Sequence, residues 1–256
     1  MKLLIELSYV GTNYCGYQVQ QNGDTIQQRL NEAALSLFGF PCDVSGCSRT
    51  DSGVHARTYF ATVCRKDTQN LECSIPLFRI PMAFNAHLPD DIAVRRALYV
   101  DSSFHPRYDV RSKTYRYRML LKREREPFLA PYCWHVPYPT LPDAEQRMDR
   151  AAGLFCGKRD FSTFMAKGSK IEDPVRTVLS SRVFREDCEL IFEICADGFL
   201  YHMVRIMAGT LIEVACGRME PQSMTSLMEA RDRELAGPTA PPCGLTLWDV
   251  QYGSPT

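Results

Sequence analysis

The sequence is organised around one polar segment, Gly46-Cys47-Ser48-Arg49-Thr50-Asp51-Ser52-Gly53-Val54-His55-Ala56. It joins two predicted strands, residues 41–47 and 57–64, yet a simple hairpin would need only about two to five residues and an Asn-Gly or Gly-Gly pair. Arg49 lies two residues before Asp51, so its guanidinium can hold that carboxylate ionised if both face one cavity. An ionised carboxylate serves as a nucleophile or general base without a cofactor. The alternative is a structural Arg–Asp pair in an Asx-turn, which is common in loops.

Strands and one helix are predicted around this segment in the first half of the chain. Residues 3–10 alternate as a strand and end in turn residues. A helix is predicted over residues 25–37 from an apolar stripe at helical spacing, with Asp24 or Gly23 as its cap. A further strand is predicted over residues 91–100. Residues 1–104 are therefore predicted to form an α+β domain.

The second half, residues 105–256, is predicted to form another α+β domain. Residues 111–121 alternate as a strand with tyrosines on one face and arginines on the other. A helix over residues 199–216 carries a continuous apolar face, and Gly217 ends it in the manner of a left-handed cap. The remaining predictions are a helix over 141–155 and strands over 178–184, 190–196 and 245–252.

Composition limits the class of protein. The chain has 256 residues, 45% of them hydrophobic and 23% charged, so a folded chain of two domains is expected. An acid follows the first apolar residues at Glu6, and no stretch approaches about 18–20 uncharged apolar residues, so neither a signal peptide nor a membrane span is predicted. A cytoplasmic protein is expected.

The eleven cysteines do not predict a metal site. No two of them are spaced C-x-x-C, the pairing that structural zinc sites usually show. Most lie within apolar runs, as small buried residues of a reducing compartment do. We therefore expect no metal.

Positive charge is concentrated in one region, although thirty Lys and Arg balance thirty Asp and Glu overall. Residues 105–125 contain eight basic and two acidic residues, interleaved with Tyr108, Tyr115 and Tyr117. Cations for phosphates and flat rings for unpaired bases suit single-stranded or looped RNA. A solvated edge strand, protected from aggregation by its charges, explains the same composition equally well.

Several motifs of the chain, in the order in which they occur, resemble those of the bacterial tRNA pseudouridine synthase A family. The polar segment is similar to the signature G-R-T-D-(A/S)-G-V-H-A, and the resemblance covers nearly the whole chain. The other similar segments are Tyr9–Gln20, Thr25–Gln27, Phe104–Tyr108 with Lys113–Tyr117, Gly198–Arg205 and Thr239–Leu245. The departures are small: Tyr17 where tryptophan is frequent, Ser52 for alanine, and Cys47-Ser48 before Arg49.

The resemblance implies a fold and a reaction. It implies the two-domain α+β fold of pseudouridine synthases, with antiparallel sheets flanked by helices and an active cleft between the domains. The implied reaction is isomerisation of uridine to pseudouridine at positions 38–40 of the tRNA anticodon stem-loop, with Asp51 as the nucleophile acting on a flipped uridine. Arg49 would pair with Asp51 and then help to hold the nucleotide. No cofactor is implied.

Three residues of the second half have implied roles and ordinary alternatives. Tyr115 would stack on the uracil, although a buried strand tyrosine is the commoner case. Arg205 would form a salt bridge to Asp51, or else extend outward from its helix. Leu245 would pack against the base, or be a core leucine.

The resemblance also implies a surface for tRNA and a homodimer that binds it. The implied RNA contacts are Phe104, His105, Arg107, Tyr108, Arg111, Lys167 and Lys170. Three other hypotheses are a paralogue that modifies another RNA or a single position, a non-catalytic RNA-binding module, and a zinc-dependent RNA enzyme. The set of Arg49, Asp51 and Tyr115 argues against the second, and the cysteine spacing argues against the third.

Overall fold

The computed structural model describes residues 1–21, 23–137, 139–168 and 171–253. Its internal contacts divide the chain into two units, one of Met1–Arg111 with the chain from Leu247 onward, the other of Ser112–Thr246. Residues 105–111 and the end of the last strand thus cluster with the first unit. Each unit combines a sheet with helices, and the α+β class predicted from the sequence is confirmed.

The first unit is built on antiparallel strands. Its central strand β1 pairs with β3 from Leu3↔Val63 to Tyr9↔Ala56, and on its other side with β4 from Lys2↔Val100 to Tyr9↔Ile92. Strand β2 pairs with β3 from Cys42↔Arg65 to Gly46↔Ala61. The elements are β1 Lys2–Tyr9, α1 Ile26–Phe38, β2 Cys42–Gly46, β3 His55–Arg65, α2 Ile80–Asn85 and β4 Ile92–Val100.

Helix α1 is where the apolar stripe placed it, but its cap differs from the prediction. Ile26, Leu30, Ala33 and Ala34 are buried. The N-cap is Thr25, whose extended backbone lets its hydroxyl accept a hydrogen bond from Gln28 N at 3.3 Å. The prediction of Asp24 or Gly23 was therefore wrong, because the threonine hydroxyl reaches the first free amide groups of the helix.

The second unit contains an antiparallel sheet of order β5-β9-β8-β7, with the short β6 parallel to β5. Strand β5 pairs with β9 from Lys113↔Ala196 to Met119↔Leu190. The elements are β5 Val110–Leu120, which begins in the first unit, β6 Trp134–His135, α3 Ala144–Gly153, β7 Gly157–Asp160, β8 Val175–Glu186, β9 Glu189–Ala196, α4 Met203–Ala215, α5 Ser223–Ala230 and β10 Leu245–Tyr252, which continues into the first unit.

Helix α4 is almost entirely buried and shorter than its apolar pattern predicted. It begins at Met203 rather than at residue 199, because His202 has a left-handed backbone with a φ of 59°. It ends as predicted: Gly217 has a φ of 70° and donates to Val214 O, and Arg218 N donates to Glu213 O. This is the left-handed termination that glycine favours.

Helices α2 and α5 were not predicted from the sequence. Helix α2 has Pro81 in its first turn, where the missing amide costs nothing, so the proline that suggested a break is compatible with the helix. Helix α5 has only eight residues, and just Met224, Leu227 and Met228 are buried, which gives little periodic signal. None of the described helices is long and apolar enough to cross a membrane.

Candidate active site

Asp51 lies on the loop between β2 and β3. The ladder of these strands ends at the pair Gly46↔Ala61, and the chain then leaves the sheet and returns to it at His55. Within this loop the Asp51 side chain is half-buried and the Arg49 side chain is exposed. The loop thus carries one exposed guanidinium and one half-buried carboxylate, and their pairing stays a prediction.

The N-terminal segment from Tyr9 to Tyr17 holds this loop by hydrogen bonds on both sides of Asp51. Before it, Thr50 O accepts from Tyr17 N at 3.2 Å, and the Thr50 hydroxyl shares a 2.8 Å hydrogen bond with the hydroxyl of Tyr9. After it, Gly53 N donates to Tyr14 O at 3.2 Å. These bonds give the N-terminal motif a physical role, that of fixing the loop backbone.

Two glycines allow the segment and the loop to approach this closely. A Cβ atom on Gly11 would lie 2.0 Å from Val54 O, and one on Gly16 would lie 2.5 Å from Thr50 O. Gly16 also has a φ of 85°, a conformation that other residues rarely adopt. Backbone therefore packs directly on backbone at both ends of the Asp51 turn.

Buried tyrosines support the start of the loop. The ring of Tyr17 stacks on that of Tyr59 with centroids 4.6 Å apart, and the Tyr59 hydroxyl donates to Ser48 O. Burial raises the pKa of Tyr59 well above its usual range, so the hydroxyl stays protonated as a donor. Gly46 lies against both rings, since a Cβ there would be 2.5 Å from Tyr17. Where the loop leaves the sheet, it therefore packs on the stacked rings of Tyr17 and Tyr59.

In the second unit, Tyr115 lies on the buried face of β5. Its side chain is 6% exposed and meets Phe199 edge to face at a centroid distance of 5.0 Å. Such a contact orients the ring whether it stacks on a substrate or only fills a core. The stacking role stays a prediction.

Arg205 is bonded to the segment that leads into β10. Its Nε donates to Ala240 O at 2.8 Å, and Ala240 N donates to Arg205 O at 3.1 Å. The side chain is half-buried, with its guanidinium bonded to the backbone of Ala240. A salt bridge to Asp51 stays a prediction.

Leu245 begins β10 and is 6% exposed. The residues before it are fastened to the unit: Tyr117 Oη donates to Pro241 O at 2.7 Å, and a Cβ on Gly244 would lie 2.8 Å from Arg118 O. Helix α4 holds the same segment, because a Cβ on Gly209 would lie 1.8 Å from Pro238 O. Leu245 is thus presented by a tightly packed stretch of chain.

The predicted RNA contacts before β5 form an exposed aromatic and cationic cluster in the first unit. Tyr108 is 74% exposed, its ring lies tilted against that of His105 with centroids 4.3 Å apart, and the Arg107 guanidinium is 5.9 Å from its ring centroid. Phe104 instead packs inward against Tyr252 at 5.2 Å. Arg111 is exposed at the second residue of β5.

Of the two remaining predicted RNA contacts, Lys167 and Lys170, the structure describes only Lys167. Lys167 is 77% exposed and forms an ion pair with Glu234 at 2.5 Å. Solvent screens such an exposed pair, so the lysine remains available to a phosphate. Lys170 lies outside the described residues.

The arginines in the middle of β5 are neutralised by cross-strand carboxylates. Arg116 Nε contacts Glu193 at 2.7 Å, and Arg118 contacts both oxygens of Glu189 at 2.7 Å. The high charge of this strand therefore stabilises the sheet, in part, rather than forming a free cationic stripe. Neither of the explanations offered by composition anticipated this pairing.

Sequence reasoning missed the residues that support the loop. Tyr9 and Tyr59 contact it through Thr50 and Ser48, and Arg57 places its guanidinium 4.2 Å from the ring centroid of Trp248 in the same unit. The glycines at 11 and 16 were the available signal, because glycine is favoured where one stretch of backbone approaches another closely. Among the described residues, no cluster of three His, Cys, Asp or Glu could hold a metal.

A family model described as tRNA pseudouridine synthase matches residues 7–109 and 151–253 of this chain. The tRNA pseudouridine synthase A of Exiguobacterium sp. is 41% identical over 253 residues, covering 98% of this chain and 97% of that protein. The protein of the same name from Bacillus pumilus is 41% identical over 256 residues, covering 98% and 99%. The one from Halalkalibacterium halodurans is 41% identical over 242 residues, covering 94% and 89%.

Among solved structures, a chain of a Cbf5–Nop10–Gar1 complex aligns with a TM-score of 0.32 at 10% identity. The alignment covers 82% of this chain and 54% of that chain, and a likeness of this extent carries no argument.

Proposed function

This chain belongs to the tRNA pseudouridine synthase family, and we propose that it isomerises uridine to pseudouridine at positions 38–40 of the tRNA anticodon stem-loop. The observation that carries the proposal is the Asp51 loop. Its backbone is fixed on both sides of the carboxylate by the N-terminal motif, while the carboxylate itself stays half-exposed. A fixed carboxylate at a surface is what attack on a bound nucleotide requires.

The chemistry assigns Asp51 the central role. The bond from ribose C1′ to uracil N1 must break, the base must rotate, and C5 must join C1′ while its hydrogen leaves as a proton and N1 gains one. A carboxylate can attack C1′, attack uracil C6, or assist removal of a ribose proton, and the family resemblance is compatible with all three. Each route requires the target uridine to be flipped out of the RNA and shielded from water.

Arg49 is proposed to pair with Asp51 before tRNA binds and then to help hold the flipped nucleotide. Its exposed side chain two residues before Asp51 supports this role. Thr50, which separates them, is fixed by Tyr9 and Tyr17. The two side chains therefore extend from a stretch of backbone that is held in place.

Residues of the second unit are proposed to act on the same uridine. Tyr115 would stack on the uracil and relay the C5 proton through its hydroxyl, Arg205 would form a salt bridge to Asp51, and Leu245 would pack against the base. The motif matches support these assignments, as does local packing that fixes each residue: Phe199 against Tyr115, and Ala240 against Arg205.

For tRNA contact we propose the cluster around Tyr108, together with Lys167 and Lys170. The exposed Tyr108 ring with Arg107 beside it combines a stacking surface with a cation, which suits unpaired bases. Phe104, His105 and Arg111 belong to the same proposed surface. Lys170 is proposed from the sequence alone.

A homodimer acting on cytoplasmic tRNA completes the proposal. It rests on the family resemblance, in which one tRNA lies across two subunits. Sedimentation of the protein with and without tRNA tests this, because a dimer predicts one tRNA bound per two chains.

The experiment that tests the function uses an unmodified tRNA transcript with uridine at positions 38, 39 and 40. Pseudouridine is mapped after incubation with the purified protein, and a transcript with cytidine at these positions is the control. Pseudouridine at these positions alone supports the proposal. Product at another position or in another RNA favours the paralogue hypothesis, and binding without any product favours the non-catalytic RNA-binding module.

A further inference from the structure

His55 is buried at the start of β3, directly after the Asp51 loop, and its ring has a defined partner. The side chain is 3% exposed, and Nδ1 accepts a hydrogen bond from Gly11 N at 3.0 Å. A nitrogen that accepts carries no proton, so this geometry requires the neutral imidazole with its proton on Nε2. The ring thus contributes an acceptor to a backbone amide that is itself buried.

The position of Gly11 matters because it lies against the end of the turn that carries Asp51. A Cβ on Gly11 would be 2.0 Å from Val54 O, so the two backbones are in direct contact. Val54 N in turn donates to Asp51 O at 3.2 Å and closes the turn. A displacement of Gly11 would therefore displace Val54, and with it Asp51.

The other attachments of the loop lie elsewhere along it. Thr50 is held by Tyr9 and Tyr17, and Gly53 is held by Tyr14. Gly11, which lies against Val54, is held on its amide by the imidazole of His55 and on its carbonyl by Tyr14 N, which donates to Gly11 O at 3.0 Å. Removing this acceptor leaves the Gly11 amide buried without its side-chain partner, and the chain relaxes at this point to regain one.

We propose that His55 is a positioning residue for Asp51, which acts by accepting the Gly11 amide through Nδ1. This inference rests on the proposed function and adds to it a residue that does not touch the substrate. Loss of the acceptor displaces the turn and slows the chemical step, while the surfaces that bind tRNA stay intact. A displacement of about 1 Å at a reacting group can lower the rate by about 100-fold.

The test compares three variants, using C5-tritiated tRNA in single-turnover reactions together with tRNA binding. His55→Ala removes the acceptor, His55→Asn places Oδ1 near the position of Nδ1, and His55→Gln reaches toward the position of Nε2 instead. We expect the Ala and Gln variants to react about 10- to 100-fold more slowly with nearly unchanged tRNA binding, and the Asn variant to recover most of the rate.

Asn85→Ala is the matched control for a purely structural role. Asn85 Oδ1 accepts from Val94 N at 2.8 Å and its amide donates to Val94 O, so this variant also leaves a buried amide without its side-chain acceptor in the same unit. We expect it to lower the melting temperature and to leave the rate per folded molecule unchanged.

The possible results separate the explanations. With an active wild type, a His55→Ala rate equal to that of the wild type or of Asn85→Ala overturns the inference alone, as does an Asn variant no faster than the Gln variant. If the Ala variant does not fold, the comparison of Asn with Gln decides. Wild-type protein that releases no tritium contradicts the proposed function and removes this inference with it.

Discussion

Gly16 and Thr50 are in backbone contact, so that a Cβ on Gly16 would lie 2.5 Å from Thr50 O and 3.2 Å from the carbonyl carbon of Asp51. The N-terminal motif and the Asp51 loop, separated by more than thirty residues of sequence, therefore form one packed structure. Positions of this kind tolerate only glycine, because any side chain must displace backbone rather than another side chain.

Gly16→Ala is predicted to lower both stability and the rate of isomerisation. Gly39→Ala is the control, because Gly39 has a similar φ of 75° but nothing lies within 4 Å of its would-be Cβ. The left-handed alanine alone costs about 1–2 kcal/mol at either site. Only Gly16→Ala should slow tritium release from labelled tRNA, and equal behaviour of the two variants would show that the contact with Thr50 is unimportant.

Gly209→Ala is predicted to destabilise the protein, against the usual trend within a helix. Replacing a helical glycine by alanine normally stabilises by about 1 kcal/mol, but here the new methyl group meets Pro238 O at 1.8 Å. Gly153→Ala in α3 is the control, since nothing lies within 4 Å of its would-be Cβ. Thermal unfolding should show a lower Tm for the first variant and an unchanged or higher Tm for the second. A stabilised Gly209→Ala would contradict the packing described for this segment.

Arg118→Met is predicted to destabilise the second unit strongly. The Glu189 side chain, only 8% exposed, would lose the bidentate partner that now offsets its burial. Loss of one partner of a fully buried pair costs about 3–5 kcal/mol, and the cost here should be smaller because Arg118 is 30% exposed, whereas Lys167→Ala breaks a fully exposed pair and should change stability far less. Urea unfolding measures both, and equal midpoints would refute the structural role of the pair.

Glu193 is predicted to make stability depend on pH. Burial, the largest influence, raises its pKa, but hydrogen bonds from Arg116 and Arg182 outweigh this and hold the pKa of Glu193 below its usual value of 4.5. Its stabilising contribution is therefore present above the unfolded-state pKa and is lost as pH falls through the lower folded-state pKa.

Glu193→Gln tests this by unfolding at several pH values. The variant should be less stable than the wild type at pH 7, and the difference should shrink as the pH falls below about 4.5. Glu229→Gln, at an exposed position of α5, is the control. A Glu193→Gln difference that stays constant down to low pH would contradict the prediction.

Much of the fold was predictable because the apolar patterns are local. Helix α1 and the strands β1, β3 and β10 were located within a few residues from periodicity alone. The start of α4 was not, because the apolar stripe continues through Phe199 and Leu200, while the left-handed backbone of His202 excludes these residues from the helix. Periodicity reports which side chains are buried, not the backbone conformation that buries them.

The site was predictable as a list of residues but not as an arrangement. Motif spacing identified Asp51 and Arg49, whereas the contacts of Gly11 and Gly16 with the loop depend on backbone atoms that no side-chain pattern describes. The charge of β5 was misleading for a related reason: the partners of Arg116 and Arg118 lie at the end of β8 and on β9, far away in the sequence. To predict such long-range ion pairs one must know the strand register, which the sequence alone does not reveal.

The most direct measurement follows tritium released from uracil C5 of labelled tRNA, because isomerisation replaces that hydrogen. Wild-type protein, Asp51→Asn and the exposed control Asp90→Asn are compared, with tRNA binding followed for each. The account predicts release by the wild type and by Asp90→Asn, and no release by Asp51→Asn despite retained binding. Equal release by Asp51→Asn would contradict the role of Asp51, and no release by any of the three would contradict the proposed reaction.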